Sequence, residues 1–155
     1  MKAKTVVLMA ALFLALAALG FASDDVQMGN WKLNESKSKI ATGMPQNNTV
    51  VYEAAGDNVK VTVDGTGPDG KPTHNEWTGK FDGKDYPVNG DPNQDMRSYT
   101  KIDDHTLGLN VKKGGKRTVS GRIVVSADGK TRTVTTSGTD PQGKAFKSTA
   151  VYNKQ

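Results

Sequence analysis

Short segments in which hydrophobic and polar residues alternate run through this chain from Thr49 onward. Every second residue is Val in residues 59–63, and Leu, Leu and Val occupy alternate positions in residues 107–111. Because successive side chains of a β-strand point to opposite faces, this period of two predicts strands with one buried face. A helical bundle or a coiled coil needs a different period, and both are excluded.

Glycine-containing dipeptides separate the alternating segments and supply the positive φ angles of tight hairpins: Asp69-Gly70, Asp82-Gly83, Gly114-Gly115 and Asp128-Gly129. We predict strands at residues 29–33, 48–55, 58–65, 73–81, 84–88, 96–102, 105–113, 117–127, 130–138 and 145–153. The stretch from Asn34 to Pro45 lacks alternation, and Asn34 is placed to cap a short helix over the residues that follow it.

Eight to ten strands joined by short links predict an all-β fold, an antiparallel up-and-down meander. A meander of this size leaves two exposed edges unless it closes on itself, so we expect a closed barrel. A barrel of about eight strands has room for side chains or for one small ligand. The alternative is a two-sheet β-sandwich.

Residues 61–72 are repeated 73 positions later as residues 134–145, with seven of the twelve pairs identical. Either a three-strand unit occurs twice, or two hairpins share the same turn chemistry.

The N-terminal residues have the pattern of an export signal. Lys2 and Lys4 precede an uncharged stretch that runs to Ala22, and Gly20 and Ala22 are the small residues that a signal peptidase requires. We predict a signal peptide over residues 1–22 and one domain over residues 23–155, exported to the periplasm or the extracellular space. The alternative is a retained membrane anchor; otherwise the only membrane contact expected is through the uncleaved signal peptide.

Side chains suited to catalysis are few. The chain has no Cys and two His, His74 and His105. Thiol chemistry is therefore excluded, and a catalytic triad would have to use one of these two His. His74 and Glu76 have the spacing of two metal ligands on one strand face, but no further ligands converge on them. We expect no enzyme activity, no catalytic residues, no metal centre and no cofactor.

An acidic loop resembles the start of a calcium loop. Asp91, Asn93 and Asp95 have the right spacing, but Met96 and Ile102 stand where Gly and Glu are required. We therefore expect Asp and Asn side chains that form turns, with a weak calcium site as the alternative.

A basic hairpin is a candidate surface site for an anionic envelope component, formed by Lys112, Lys113, Lys116 and Arg117. The simpler interpretation is a solvated hairpin whose charges prevent edge-to-edge aggregation. Export and the lack of aromatic residues near these charges argue against nucleic acid.

The side chains expected to face the barrel interior include five aromatic candidates for lining a ligand cavity: Trp31, Tyr52, Trp77, Phe81 and Tyr152. Polar residues are expected among them, at Asn75, Thr133, Thr135 and Ser148. Because an unpaired buried polar group costs about 1–3 kcal/mol, such an interior indicates either a cavity or hydroxyls that pair internally.

The sequence Gly29-Asn30-Trp31 resembles the first strand of calycins, the superfamily of lipocalins and fatty-acid-binding proteins. Residues 149–155 are similar to the last strand of fatty-acid-binding proteins, and residues 23–155, including the 86–92 loop, resemble small exported bacterial lipocalin-like proteins of undescribed function. The resemblance implies that Trp31 plugs one barrel end beneath a basic side chain, either Arg122 or Arg132.

The resemblance also implies that the protein is an exported barrel that binds a small apolar or amphipathic ligand. The Arg and Tyr residues that bind the carboxylate in fatty-acid-binding proteins have no clear match in this sequence. The alternative is an envelope-associated structural or interaction protein that acts through its basic outer surface.

Overall fold

A computed structural model describes residues 25–155, and the predicted signal peptide at residues 1–22 lies outside them. The chain forms ten β-strands and one short 3-10 helix. The strands are β1 (Gly29–Leu33), β2 (Gln46–Ala55), β3 (Asn58–Thr66), β4 (Pro72–Gly79), β5 (Tyr86–Asn89), β6 (Met96–Asp103), β7 (Thr106–Lys113), β8 (Lys116–Val125), β9 (Thr131–Thr139) and β10 (Ala145–Lys154). Within residues 25–155 no helix has the length and hydrophobicity needed to cross a bilayer.

The strands form a closed antiparallel barrel in which each strand pairs with the next and β1 pairs with β10. This confirms the predicted fold class, and the sheet does not divide into a sandwich. The largest errors in the predicted strand ends are two residues: β2 starts at Gln46 instead of 48, β4 stops at Gly79 instead of 81, β5 starts at Tyr86 instead of 84 and β8 stops at Val125 instead of 127.

The inward faces of the strands form one hydrophobic core. Its buried members include Val50, Val61, Val63, Leu107, Ile123 and Val125. Two polar residues that were expected to face inward, Thr133 and Thr135, lie on the opposite face of β9. The prediction was wrong because Arg132 is buried, and alternation then turns Thr133 and Thr135 outward.

The barrel has two different ends. The end that we call the Trp31 end holds residues 25–29 and the β8–β9 link, and the buried side chain of Gln27 lies there. The opposite end, the far end, holds residues 34–45 and the 90–95 loop. In residues 34–45 the predicted short helix is confirmed as a 3-10 helix over Glu35–Lys37, capped by Asn34, whose side chain accepts a hydrogen bond from Lys37 N.

Gly79 on β4 lets an aromatic ring enter the wall of the barrel. A Cβ atom at Gly79 would lie 2.5 Å from Cγ of Tyr86, so the absence of a side chain makes room for the Tyr86 ring. Tyr86 packs edge-on against Trp77, with ring centroids 5.6 Å apart.

The sequence repeat corresponds to two equivalent hairpins, β3–β4 and β9–β10. Val61 pairs with Trp77 and, 73 positions later, Val134 pairs with Ala150. The turns match as well, since the hydrogen bond from Gly67 N to Lys71 O recurs from Asp140 N to Lys144 O, both at 2.8 Å. The strands that precede the two hairpins, β2 and β8, pair with them in registers that differ by two residues. The equivalence is therefore limited to the hairpins.

Candidate functional site

Arg132 lies inside the barrel among three aromatic rings. Its guanidinium carbon is 5.5 Å from the ring centroid of Trp31, 4.7 Å from that of Tyr52 and 5.2 Å from that of Tyr152. Arg122 is exposed on the outer face of β8. Of the two arginines that the sequence left open, Arg132 is therefore the one over Trp31, and Lys154 Nζ also lies over this ring, 5.1 Å from its centroid. The Trp31 side chain is also held by a hydrogen bond that its indole N–H donates to Gln27 O at 2.8 Å.

The guanidinium of Arg132 is buried without the partners that a buried cation normally has. Its Nε and Nη1 atoms have no hydrogen-bond acceptor, and among residues 25–155 no carboxylate forms an ion pair with it. A cation over an aromatic face gains about 2 kcal/mol or more when desolvated, so the three rings hold the charge while its N–H groups remain free. The site can therefore donate hydrogen bonds to an acceptor or an anion.

The hydroxyl of Tyr52 is also buried, and within residues 25–155 it forms no hydrogen bond of good geometry. Burial raises the pKa of Tyr52 far above its ordinary value, the nearby Arg132 charge works against this, and the neighbouring Tyr99 hydroxyl raises the pKa further. The pKa of Tyr152 is raised for the same reason. Both phenols are therefore neutral at physiological pH, and Tyr52 Oη can donate or accept a hydrogen bond.

Arg97 is a second buried arginine, and the sequence analysis missed it. Its Nη2 atom donates to Asn75 Oδ1 and to Gln94 Oε1, both at 2.9 Å, and its Nη1 atom lies 3.4 Å from Tyr99 Oη. Gln94 in turn donates to Asp91, so the 90–95 loop is linked to the barrel interior. Arg97 is therefore occupied by neutral oxygens of the protein, whereas Arg132 is not.

The five predicted cavity-lining residues fall into two contacting groups. Trp31, Tyr52 and Tyr152 surround Arg132, whereas Trp77 and Phe81 stack at 6.5 Å and both contact Tyr99. Tyr52 joins the two groups, because its ring lies 6.2 Å from Tyr99 and 6.3 Å from Phe81. The structure thus brings all five together, packed on each other and on Arg132. Their role in binding a ligand stays a prediction.

Partly accessible side chains face the interior on β7, β8 and β9, nearer the far end. Leu109, Gly121 and Thr136 form one row across these strands, and all three are only half-buried. Val134, also half-buried, lies between this row and Arg132 on the inward face of β9. A Cβ atom at Gly121 would lie 2.5 Å from Thr135 O, so the glycine allows β9 to approach β8 closely at this row. Arg132 lies four residues from Thr136, roughly 13 Å deeper in the barrel.

The predicted surface site lies apart from the interior. Lys112 Nζ and Asp85 Oδ2 form an ion pair at 2.6 Å, and Lys113, Lys116 and Arg117 are exposed in and beside the β7–β8 turn. Arg117 pairs with Lys112 across the hairpin. The binding role of these four residues stays a prediction as well.

The remaining candidate groups have local structural roles. His74 Nδ1 lies 2.6 Å from Asp64 Oδ1 on the exposed face of β3 and β4, and this hydrogen bond raises the pKa of His74. His105 Nδ1 lies 3.1 Å from Val125 O. In the acidic loop, Asp91 accepts a hydrogen bond from Asn93 N and Asp95 accepts one from Gly114 N. Across residues 25–155, no cluster of three or more His, Cys, Asp or Glu could hold a metal ion.

Comparisons with known proteins identify no family. No family model matches the chain, and no curated protein matches it. Among solved structures, it is similar to EF1p2_mFAP2b bound to DFHBI, with 12% identity and a TM-score of 0.48 over 84% of this chain and 94% of that one. It is also similar to a redesigned β-barrel, mFAP1, bound to DFHBI, with 18% identity and a TM-score of 0.44 over 83% and 95% of the two chains. At these values neither structure assigns a ligand to this protein.

Proposed function

We propose that this barrel binds a small amphipathic ligand in its interior, with the polar group of the ligand at Arg132 and its apolar part against the inward faces of β7 and β9. The observation that carries the proposal is the pair of buried, unpaired donors on Arg132. Leaving such donors unpaired costs about 1–3 kcal/mol or more, and an acceptor on a ligand removes that cost. Because no carboxylate within residues 25–155 forms an ion pair with Arg132, an anionic acceptor is favoured over a neutral one.

Entry from the far end is supported by the gradient of burial along the interior. Residues around Arg132 are buried, whereas Leu109 and Val134, nearer the far end, are half-buried. A ligand that entered there would place its apolar body against these two side chains and its polar group at the deeper guanidinium.

Binding without chemical conversion is part of the proposal. The two His side chains are engaged outside the aromatic core, His74 with Asp64 and His105 with a backbone carbonyl. We also propose that the protein acts after export, on the basis of the residues that precede Ser23.

Two fluorescent probes with nearly the same aromatic body test the proposal: anilinonaphthalene sulfonate, which is anionic, and phenylnaphthylamine, which is neutral. Each is titrated into purified wild-type protein, and into the variants Arg132→Met and Arg122→Met. The second variant makes the same chemical change on the outer face. We expect saturable one-to-one binding of the sulfonate, with an affinity about tenfold above that of the amine, a difference of about 1.4 kcal/mol.

Arg132→Met should remove the preference for the sulfonate and leave binding of the amine intact, whereas Arg122→Met should change neither. Near-ultraviolet circular dichroism checks that the Arg132 variant is folded, because partly folded proteins also bind such probes. Equal affinities of the two probes for the wild type would contradict the proposal without any need for the variants, and so would a sulfonate preference that survives in Arg132→Met.

A further inference from the structure

The charges of this barrel are divided between its two halves. Residues 105–155, which form β7 to β10, contain ten Lys or Arg and two Asp or Glu, a net charge of +8. Residues 25–104, which form β1 to β6, contain nine Lys or Arg and thirteen Asp or Glu, a net charge of −4. Since β7 to β10 are contiguous in the barrel wall, the cations are collected on one side of the molecule.

The cations of this side are mostly free of carboxylates. The acidic residues Asp128 and Asp140 lie in turns, where their side chains accept hydrogen bonds from backbone N–H groups. Among residues 25–155, Lys60, Lys71, Lys101 and Lys112 form ion pairs, all with acidic residues that precede residue 105. Arg117, Arg122 and Lys147 form no ion pair with a described residue.

Hydroxyl groups lie beside these cations in rows across the outer surface of β8, β9 and β10. One row is Ser120, Ser137 and Lys147, and the next is Arg122, Thr135 and Thr149. Neighbouring strands lie about 4.8 Å apart, so each row places a cation and two hydroxyls within roughly 10 Å. We call the surface formed by Arg117 and these six residues the cationic face.

Two depressions adjoin at Arg117. One, of about 410 Å³, extends from Arg117 beyond the cationic face and is lined by Ser98, Asn110 and the ion pair of Lys112 with Asp85 among others. The other, of about 200 Å³, lies along β8 and β9 and is lined by Ser120, Ser137 and Thr139 among others. An extended polymer that crosses Arg117 would contact both.

We propose that the cationic face binds an acidic polysaccharide. The free cations match carboxylate or sulfate groups, and the rows of hydroxyls match the hydroxyl groups of sugar rings. A bilayer fits less well, because insertion requires exposed aromatic or large apolar side chains and Val124 is the apolar side chain exposed on this part of the wall. Single-stranded nucleic acid fits less well because the face has no aromatic residue on which bases could stack.

Retention on immobilised polysaccharides tests the proposal, with polygalacturonate for carboxylates, dextran sulfate for sulfates and neutral dextran as the blank. We expect retention on at least one acidic polymer and none on dextran, and a steep decrease as salt rises, because binding releases condensed counterions. The acidic polymer that releases the protein at the lower salt concentration carries the less favoured anionic group.

The decisive variant is Arg117→Gln/Arg122→Gln/Lys147→Gln. Its control, Lys71→Gln/Lys80→Gln/Lys84→Gln, removes the same charge from exposed positions in the other half of the barrel. The first variant should lose about tenfold or more in affinity at low salt, and the control should change little. Equal losses would overturn the proposal, as would no retention of the wild type, or stronger binding to phosphatidylglycerol vesicles or duplex DNA than to either polymer.

Discussion

The guanidinium of Arg132 lies 4.7 Å from the ring centroid of Tyr52, and both side chains carry polar atoms that are buried and unpaired. Such an arrangement costs stability, because every unpaired buried group raises the free energy of the folded barrel. The effect of each buried tyrosine hydroxyl on stability can be measured by removing it.

Tyr52→Phe should leave the free energy of unfolding unchanged or raise it by up to about 1 kcal/mol, since it removes a hydroxyl without a partner. Tyr152→Phe is the matched control, because the Tyr152 hydroxyl donates to Asn47 O at 3.0 Å. That variant should lose about 1 kcal/mol. Urea denaturation measures both values. A loss for Tyr52→Phe as large as that for Tyr152→Phe would mean that the Tyr52 hydroxyl does have a partner.

Alkaline pH should unfold the barrel through its buried phenols. Burial raises the pKa of Tyr52 and of Tyr152, so the folded state holds these protons more tightly than the unfolded chain does. Their contribution to stability is fully present below the ordinary tyrosine pKa of about 10, and it is lost as the pH rises above that value. Tyrosinate absorbance should therefore appear together with unfolding, followed by circular dichroism. Full tyrosinate absorbance in a protein that is still folded would contradict the burial of these phenols.

His74 and Asp64, unlike the buried phenols, lie on the outer surface of the barrel, and His74 should titrate there in contact with water. Its hydrogen bond raises the pKa of His74, so the stability it contributes is complete below the ordinary histidine pKa of about 6.5 and is lost as the pH rises through the raised value. A nuclear magnetic resonance titration of the wild type and Asp64→Asn measures the shift. The pKa of His74 should fall in the variant, and an unchanged value would exclude Asp64 as its cause.

Gly79→Ala should destabilise the barrel by about 1–3 kcal/mol, because the new methyl group would overlap the Tyr86 ring. The methyl group would also lie 2.7 Å from the Trp77 ring, so removing the Tyr86 ring should relieve part of the overlap, and adding Gly79→Ala to Tyr86→Ala should cost less than adding it to the wild type. A double-mutant cycle in urea gives this coupling. If the stability losses of the two single variants simply add in the double variant, the overlap is not with the Tyr86 ring.

The strand pattern could be predicted from the sequence because alternation and glycine turns are local signals. Every predicted strand is present, including β7, where Leu107 and Leu109 face inward as their spacing indicated. Closure also followed from a general physical argument, since a long meander would otherwise expose its edges.

The polar centre of the barrel could not be predicted, because it depends on register between distant strands. Arg97 and Tyr99 alternate with Ser98 and Thr100, a pattern in which neither face is apolar, so the inward face of β6 has no hydrophobic signal. Arg122 and Arg132 were equal candidates until the pairing of Arg132 with Tyr152 placed it inside. A basic residue that alternates with an aromatic one within a strand is the signal that would have identified Arg97.

The central claim is that the free donors of Arg132 meet the ligand, and the side-chain Nε–H resonance of Arg132 tests it most directly. Nitrogen-proton correlation spectra are recorded as anilinonaphthalene sulfonate is added, with the resonance assigned through its loss in Arg132→Met. We predict that the Arg132 signal shifts and saturates with the probe while that of Arg122 stays fixed. An Arg132 signal that does not move, whether the probe binds elsewhere or fails to bind, would contradict the account.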